Sequence, residues 1–157
     1  MYEFTLKGSL NADIQSIYQA FVNPTLIKKW CAPNNLVATQ FVGQVLPGEH
    51  FRLHLESEDG FQQTVFGAYQ EVIPNQKISF TWRWEDTNDI SMVEVCLENT
   101  HNDNTKFLLS QKGFRQKSDM LQQQFAWIDC LENLSLYLPD FPKPVQPDPK
   151  TMSSVAA

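Results

Sequence analysis

The chain has 157 residues, a length that favours one domain, and 42% of them are hydrophobic, enough for a substantial core. Its net charge of −6 disfavours nucleic-acid binding, because an acidic surface repels phosphate backbones. No apolar run approaches the ~20 residues that span a bilayer, and the N-terminus does not resemble a signal peptide. We therefore expect a cytoplasmic protein that binds neither nucleic acid nor membrane.

Alternating strands dominate the predicted elements. Tyr2–Leu10 alternates apolar and polar residues, as a half-buried strand does. Asp13 is placed to cap a short helix that ends at Asn23-Pro24, and a second short helix covers about Thr25–Trp30. A bulge is expected at Gly67. Six further strands follow between turn signals: Leu36–Val42, Glu49–Glu56, Phe61–Val72, Lys77–Trp84, Ser91–Glu98 and Thr105–Lys112.

A long amphipathic helix is predicted from about Asp119 to Leu138, where Pro139 ends it. Residues 1–138 then form the domain. Residues 139–157 hold five of the nine prolines, so we expect a proline-rich flexible tail that docks in part through Phe141. The predicted buried stripe of the helix has steps of three and four residues, with Trp127 beside it: Leu121, Phe125, Ile128, Leu131, Leu134 and Leu138.

The order of these elements predicts an α+β fold. A seven-stranded curved antiparallel sheet is accompanied by two short helices and one long C-terminal helix. One helix laid across a curved sheet does not fill its whole concave side. We therefore expect a cavity between sheet and helix, of the kind that binds apolar ligands.

The cysteines and histidines do not predict a metal site. Cys31, Cys96 and Cys130 are isolated, which fits free thiols in a reducing compartment. His50 and His54 share the polar face of one strand about 13 Å apart, too far to bind one metal ion. We expect solvent-facing histidines, and neither a metal nor another cofactor.

Several segments in this order resemble a known family. They are Ile17–Phe21 with Asn23-Pro24, Leu26 to Trp30 with Cys31-Ala32-Pro33, Gly67–Asn75, Ile78–Trp82, then Thr105, Leu109 and Gly113-Phe114, and finally Trp127, Leu131, Leu134 and Tyr137-Leu138. Over about residues 2–138 the chain is similar to the START-like, or SRPBCC, superfamily. That superfamily has the helix-grip fold of the birch-pollen-allergen type. Within it, the chain most resembles proteins related to the C-terminal domain of the heat-shock protein 90 ATPase activator.

The chain departs from these relatives at one place. Many of them carry an acidic residue, an arginine and a double glycine entering the third strand. Here the corresponding positions hold Gln44, Leu46 and Gly48-Glu49. If the charged pair contacts ligand in the relatives, this chain lacks that contact.

The first hypothesis for function is a module that binds a hydrophobic or amphipathic small molecule. The resemblance places the ligand between the sheet and the C-terminal helix. Gln111 is the polar candidate, because its amide both donates and accepts hydrogen bonds and can orient a carbonyl or hydroxyl. The alternative is that the side chains close on one another and leave no cavity. The candidate ligand-binding residues are Trp30, Phe51, Leu53, Phe80, Trp82, Trp84, Phe107, Leu109, Gln111, Phe125 and Trp127.

Two other classes of function stay open. A cofactor-free enzyme of cyclase or hydrolase type needs an acid, base or nucleophile in the cavity. Glu71, Glu94 and Cys31 are the best candidates, but Glu94 faces away from the apolar side of its strand and Cys31 has no evident base, so no catalytic residue is predicted. The resemblance also implies a co-chaperone-like role with a chaperone partner. The sequence does not decide between monomer and homodimer.

Overall fold

A computed structural model of the chain describes residues 1–33 and 35–142. It confirms the α+β fold, and each element begins and ends within two residues of its predicted bounds. The strands are β1 (Tyr2–Leu10), β2 (Val37–Gly43), β3 (His50–Glu56), β4 (Gln62–Ile73), β5 (Lys77–Trp84), β6 (Ser91–Asn99) and β7 (Thr105–Phe114). The helices are α1 (Ile14–Val22), α2 (Pro24–Trp30) and α3 (Lys117–Tyr137), and a 3₁₀ turn (Leu138–Asp140) follows α3.

The seven strands form one antiparallel sheet in the order β1-β7-β6-β5-β4-β3-β2. Strands β2 to β7 therefore pair with their neighbours in sequence, and β1 pairs with β7, the last strand. The α1–α2 pair carries the chain from the β1 edge to the β2 edge. Asn23 caps α2 by accepting a hydrogen bond from the Thr25 amide, and Pro24 fits the first helical position.

The core lies between α3, the α1–α2 pair and one face of the sheet, the inner face. Ile78, Phe80 and Trp82 of β5 point to this face and are buried, as the alternation of that strand predicts. Trp30 is buried where α2 meets α1. Its indole N–H donates to the Ala20 carbonyl at 2.9 Å, and its ring meets Phe21 edge to face.

The predicted stripe of α3 is wrong in its first half. Phe125 is 66% exposed, whereas Trp127 is 3% exposed. Two residues along an α-helix are separated by about 200° around its axis, so only one of these rings can face the sheet. Trp127 is the one that finds a hydrogen-bond partner inside. The residues that α3 buries are Gln123, Trp127, Cys130, Leu131 and Leu134.

The irregularity of β4 lies beyond the predicted position. The register with β5 shifts between Tyr69 and Glu71, not at Gly67. Glycine is required at position 67 for a different reason, the lack of space for a side chain. A Cβ atom there would clash with the Phe51 ring of β3 and with the Thr81 carbonyl oxygen of β5, so only glycine lets these groups lie so close to β4.

Past the 3₁₀ turn, Phe141 is buried, and the Lys29 ammonium lies 5.8 Å from the centre of its ring. Residues 143–157, most of the predicted tail, lie outside the described residues. Among residues 1–33 and 35–142, no helix has the length and apolar character needed to cross a membrane.

Candidate ligand-binding site

A small cavity lies between the sheet and α3, at the predicted place. The segment after α2, the inner faces of β3 and β5, and α3 enclose it. Its volume is about 20 Å³, room for about one water molecule. The predicted cavity is thus nearly filled by its own walls in this conformation. Its lining residues are Cys31, Pro33, Leu53, Leu55, Trp82, Trp84, Gln123, Ala126, Trp127 and Cys130.

The structure brings four of the predicted site residues to this cavity: Leu53, Trp82, Trp84 and Trp127. Of the others, Phe125 lies on the solvent side of α3 and Phe107 lies by a hollow near the β1 edge. The remaining five are buried in the core away from the cavity lining: Trp30, Phe51, Phe80, Leu109 and Gln111.

Three indole rings form the wall of the cavity. The Trp82 ring lies 5.4 Å from Trp127 and 5.9 Å from Trp84, measured between centroids. Phe51 and Phe80 pack behind Trp82 at 6.4 and 6.2 Å. Tilted and edge-to-face contacts of this kind are arrangements that aromatic pairs prefer, so the rings of the wall stabilise one another.

Both ends of the Gln111 amide are bonded to protein groups. Its side-chain oxygen accepts from the Trp127 indole N–H at 2.8 Å, and its amide nitrogen donates to the Ser91 hydroxyl at 2.7 Å. Ser91 in turn donates to the Trp82 carbonyl at 3.4 Å. This chain of hydrogen bonds fixes the tryptophan wall, and it leaves Gln111 in a structural role that the sequence did not reveal.

Two other polar groups in the cavity wall have no hydrogen-bond partner among the described residues. They are the indole N–H of Trp82 and the side-chain oxygen of Gln123. Both residues are more than nine-tenths buried, at 8% and 7% exposure. Sequence reasoning missed Gln123, although it lies four residues before Trp127. Phasing the helix on Trp127 would have placed it inward.

Two cysteines line the same cavity. Cys31 follows α2, Cys130 lies on α3, and both thiols are free and buried. The pKa of Cys130 is raised well above its ordinary value of 9.0, mainly by a hydrogen bond with Cys31 and secondly by burial. The Asn133 side chain donates to the Ala32 carbonyl at 3.0 Å and holds this wall closed.

Of the residues that the structure describes, none that lines the cavity carries a charged side chain. The predicted acidic candidates lie on the opposite, outer face of the sheet. There Lys77 contacts Glu71 at 3.3 Å and Glu94 at 3.6 Å. Hydrogen bonding to Glu71 and the charge of Glu94 raise the pKa of Lys77. These carboxylates therefore cannot act on a molecule inside the cavity.

The remaining polar and open features lie outside the cavity. His50 is exposed, while His54 is half-buried and hydrogen-bonds Thr64 and Glu56. In the described part of the chain, no three potential metal ligands converge. A hollow of about 720 Å³ over β1, β6 and β7 lies open on the sheet surface and would leave much of a ligand in water.

A sequence profile of the family described as Activator of Hsp90 ATPase homolog 1-like protein matches residues 11–139. The chain belongs to this family. Membership confirms the resemblance stated from the sequence, and it spans every element from α1 through α3. No curated protein matches the chain.

Solved structures of other proteins share the fold of this chain. Protein CV1439 from Chromobacterium violaceum superposes with a TM-score of 0.79 at 19% identity, over 87% of this chain and 96% of that one. The AHSA1 protein SPO3351 from Silicibacter pomeroyi gives 0.79 at 18%, over 88% and 98%. DynU16, from the dynemicin biosynthetic locus, gives 0.72 at 17%, over 87% of this chain but 47% of DynU16. At these identities the likeness shows the fold alone.

Proposed function

We propose that the protein binds a hydrophobic or amphipathic small molecule between the sheet and α3. The observation that carries this proposal is the wall of three tryptophans, in which Trp82 contacts Trp84 and Trp127, in a cavity whose described lining residues are all uncharged. Rigid aromatic walls with few polar groups are typical of small-molecule sites.

Binding requires the closed cavity to open. Residues 31–33, the segment just after α2, form one wall of the cavity, and Pro33 is half-buried there. Its side-chain hydrogen bond to α3 runs from Asn133 to the Ala32 carbonyl. The indole wall stays in place, held by Gln111 and Ser91, while this segment moves outward.

Plugging the cavity tests the proposal. Tryptophan fluorescence and thermal shift are read against fatty acids, sterols, flavonoids and polyketide-like aromatics, since a ligand of the native state raises the melting temperature. We expect a saturable hit in the wild type. Ala126→Leu should abolish it by filling the cavity, whereas Ser135→Leu, which adds the same side chain on the exposed side of α3, should keep it.

Saturable binding that survives in a folded Ala126→Leu variant would contradict the location, and the absence of any saturable hit would contradict the function. Overpacking a core costs about 1–3 kcal/mol. The Ala126→Leu variant is therefore used only if a cooperative thermal transition shows that it is folded. If it does not fold, Ala126→Val plugs the same space with a smaller side chain.

A co-chaperone-like role is the second candidate. The family is described by its likeness to an activator of the Hsp90 ATPase. In addition, α3 exposes an apolar strip of Leu121, Phe125 and Leu136, at 38%, 66% and 73%. An apolar patch on an exposed helix suits contact with a protein. Stimulation of Hsp90 ATPase turnover that Phe125→Ser removes would support this role, and absence of stimulation by the wild type would exclude it.

A further inference from the structure

We infer that the cavity recognises a neutral hydroxyl group, an alcohol or a phenol, carried on an apolar body. The inference rests on the proposed function and deepens it by naming the ligand's polar group. It comes from two atoms that have no partner among the described residues, the Trp82 indole N–H and the Gln123 side-chain oxygen.

The two atoms are of opposite kinds. The indole N–H can only donate a hydrogen bond, and the amide oxygen of Gln123 can only accept one. A single ligand atom that satisfies both must accept from Trp82 and donate to Gln123. A hydroxyl oxygen does this, whereas an ether or a ketone oxygen accepts only.

Burial increases the free-energy gain when a ligand hydroxyl pairs with these two atoms. Trp82 and Gln123 are 8% and 7% exposed, so neither atom is freely solvated. An unpaired polar group at such a site carries a desolvation penalty, and natural structures rarely leave one without a partner. Gln111 shows the contrast, because both ends of its amide are bonded to protein.

Hydroxyls, carboxylic acids and amides all donate and accept hydrogen bonds, and the size of the cavity favours the hydroxyl. Its volume of about 20 Å³ matches a water-sized group. A hydroxyl reproduces the hydrogen bonds that one water would make there, and affinity is lost when a displacing group cannot do so. A carboxylic acid or an amide adds a second heavy atom at the same point.

The electrostatics of the wall exclude an ionised group. Among the described residues, no charged side chain lines the cavity, and a hydrogen bond with Cys31 and burial raise the pKa of the Cys130 thiol. A carboxylate would be buried without a counterion and would face the Gln123 oxygen directly. Once the cavity opens, the apolar body of the ligand lies along the indole rings of Trp82, Trp84 and Trp127.

Four naphthalene probes separate these chemistries: naphthalene, 2-methoxynaphthalene, 2-naphthol and 2-naphthoate. Each is titrated at neutral pH while ¹H–¹⁵N spectra follow the indole N–H signals, with the Trp82 signal assigned from Trp82→Phe. We expect 2-naphthol to bind about 2- to 12-fold more tightly than 2-methoxynaphthalene, the ratio given by one neutral hydrogen bond. 2-Naphthoate should bind most weakly. The Trp82 signal should move more than that of Trp127, which already donates to Gln111.

The adjacent glutamines provide the control. Gln123→Leu should bring 2-naphthol to the affinity of 2-methoxynaphthalene, while Gln122→Leu, at an exposed position, should keep the preference. Equal affinity of the two probes in the wild type, or a preference that survives Gln123→Leu, would overturn hydroxyl recognition and leave apolar binding standing. Failure of all four probes to saturate the protein would overturn the proposed function and the inference with it.

Discussion

Gln111 and Gln123 lie on opposite walls of one interior, the first on β7 and the second on α3. Both side chains are buried. Gln111 is bonded to Trp127 and Ser91, whereas the side-chain oxygen of Gln123 has no partner among the described residues. On the β7 side, Gln111 is therefore paired with protein groups and acts as a structural scaffold. On the α3 side, the side-chain oxygen of Gln123 is an unpaired hydrogen-bond acceptor beside the tryptophan wall.

The difference teaches how to separate structural from functional polar residues in a core. Residue type does not distinguish them, because the two side chains are chemically identical. Pairing does, since a satisfied amide fixes its neighbours and an unsatisfied one is free to meet a ligand. Four substitutions or conditions test this division.

Gln111→Leu should give the largest effect. It leaves the Trp127 indole N–H buried without an acceptor and removes the donor to Ser91. Lost hydrogen bonds and one stranded donor together predict a fall of about 2–4 kcal/mol in the free energy of unfolding. Urea denaturation measures it, and Ser91→Ala should cost about 1 kcal/mol as the graded control. A loss below about 0.5 kcal/mol for Gln111→Leu would contradict the scaffold role.

Alkaline pH should destabilise the cavity side next. The folded pKa of Cys130 lies above its ordinary 9.0 because of its hydrogen bond with Cys31 and its burial. Above pH 9.0 the unfolded chain therefore loses a proton that the folded protein keeps, so stability is full below that pH and falls as pH rises. Tyr69, whose pKa is raised by burial and by Cys31, acts in the same direction.

Cys130→Ala should flatten this loss in urea midpoints measured between about pH 9 and pH 11, because it removes one of the groups that must stay protonated. Tyr69 is present in both proteins, so part of the slope should remain. An unchanged slope in Cys130→Ala would show that the cavity wall tolerates the thiolate.

Gln123→Leu should have a small effect of opposite sign. It replaces an unpaired buried amide by an apolar side chain of similar size, which is expected to raise the free energy of unfolding by up to about 1 kcal/mol. Gln122→Leu, at an exposed position, should change it by less than about 0.5 kcal/mol. A loss of 2 kcal/mol or more in Gln123→Leu, roughly the cost of a broken buried network, would show that Gln123 is scaffold like Gln111.

Phe125→Gln should have the smallest effect. The ring is 66% exposed, so little apolar area leaves the core, and we expect a change within about 0.5 kcal/mol. Leu134→Ala, on the buried side of the same helix, should cost about 2–5 kcal/mol. Similar losses for both in thermal or urea unfolding would mean that α3 packs by the stripe predicted from sequence.

The sheet could be predicted from sequence because its signals are local. Lys77–Trp84 alternates without ambiguity, and turn residues separate each strand from the next. Helix α3 was harder, because it carries apolar residues on two sides. Leu121 and Phe125 lie on one side, and Trp127 and Leu134 lie on the other. The hydrogen bond from Trp127 to Gln111 of β7, which the sequence of the helix does not reveal, favours burial of the second side.

The candidate site was predictable in place but not in detail. The part of the wall formed by Trp82 and Trp84 follows from strand phase, whereas the inward position of Trp127 does not follow from the pattern of α3 alone. The roles of the two glutamines do not follow from a pattern either, because each depends on a hydrogen bond between elements distant in the chain. Likewise, the volume of the cavity depends on how the rings tilt against one another, and no sequence pattern encodes that tilt.

The pairing of β1 with β7 has a consequence for how the protein comes into being. Tyr2 lies opposite Phe114, so the first strand finds its partner only when most of the chain exists. During synthesis β1 leaves the ribosome before β7 has been made, so its backbone hydrogen-bonding groups stay unpaired for that time. Helix α3 is made after β7 and covers the core later still. Contacts so distant in sequence slow folding and lengthen exposure to aggregation. The meander from β2 to β6 can assemble first, and the beginning of the chain is then among the last parts to fold.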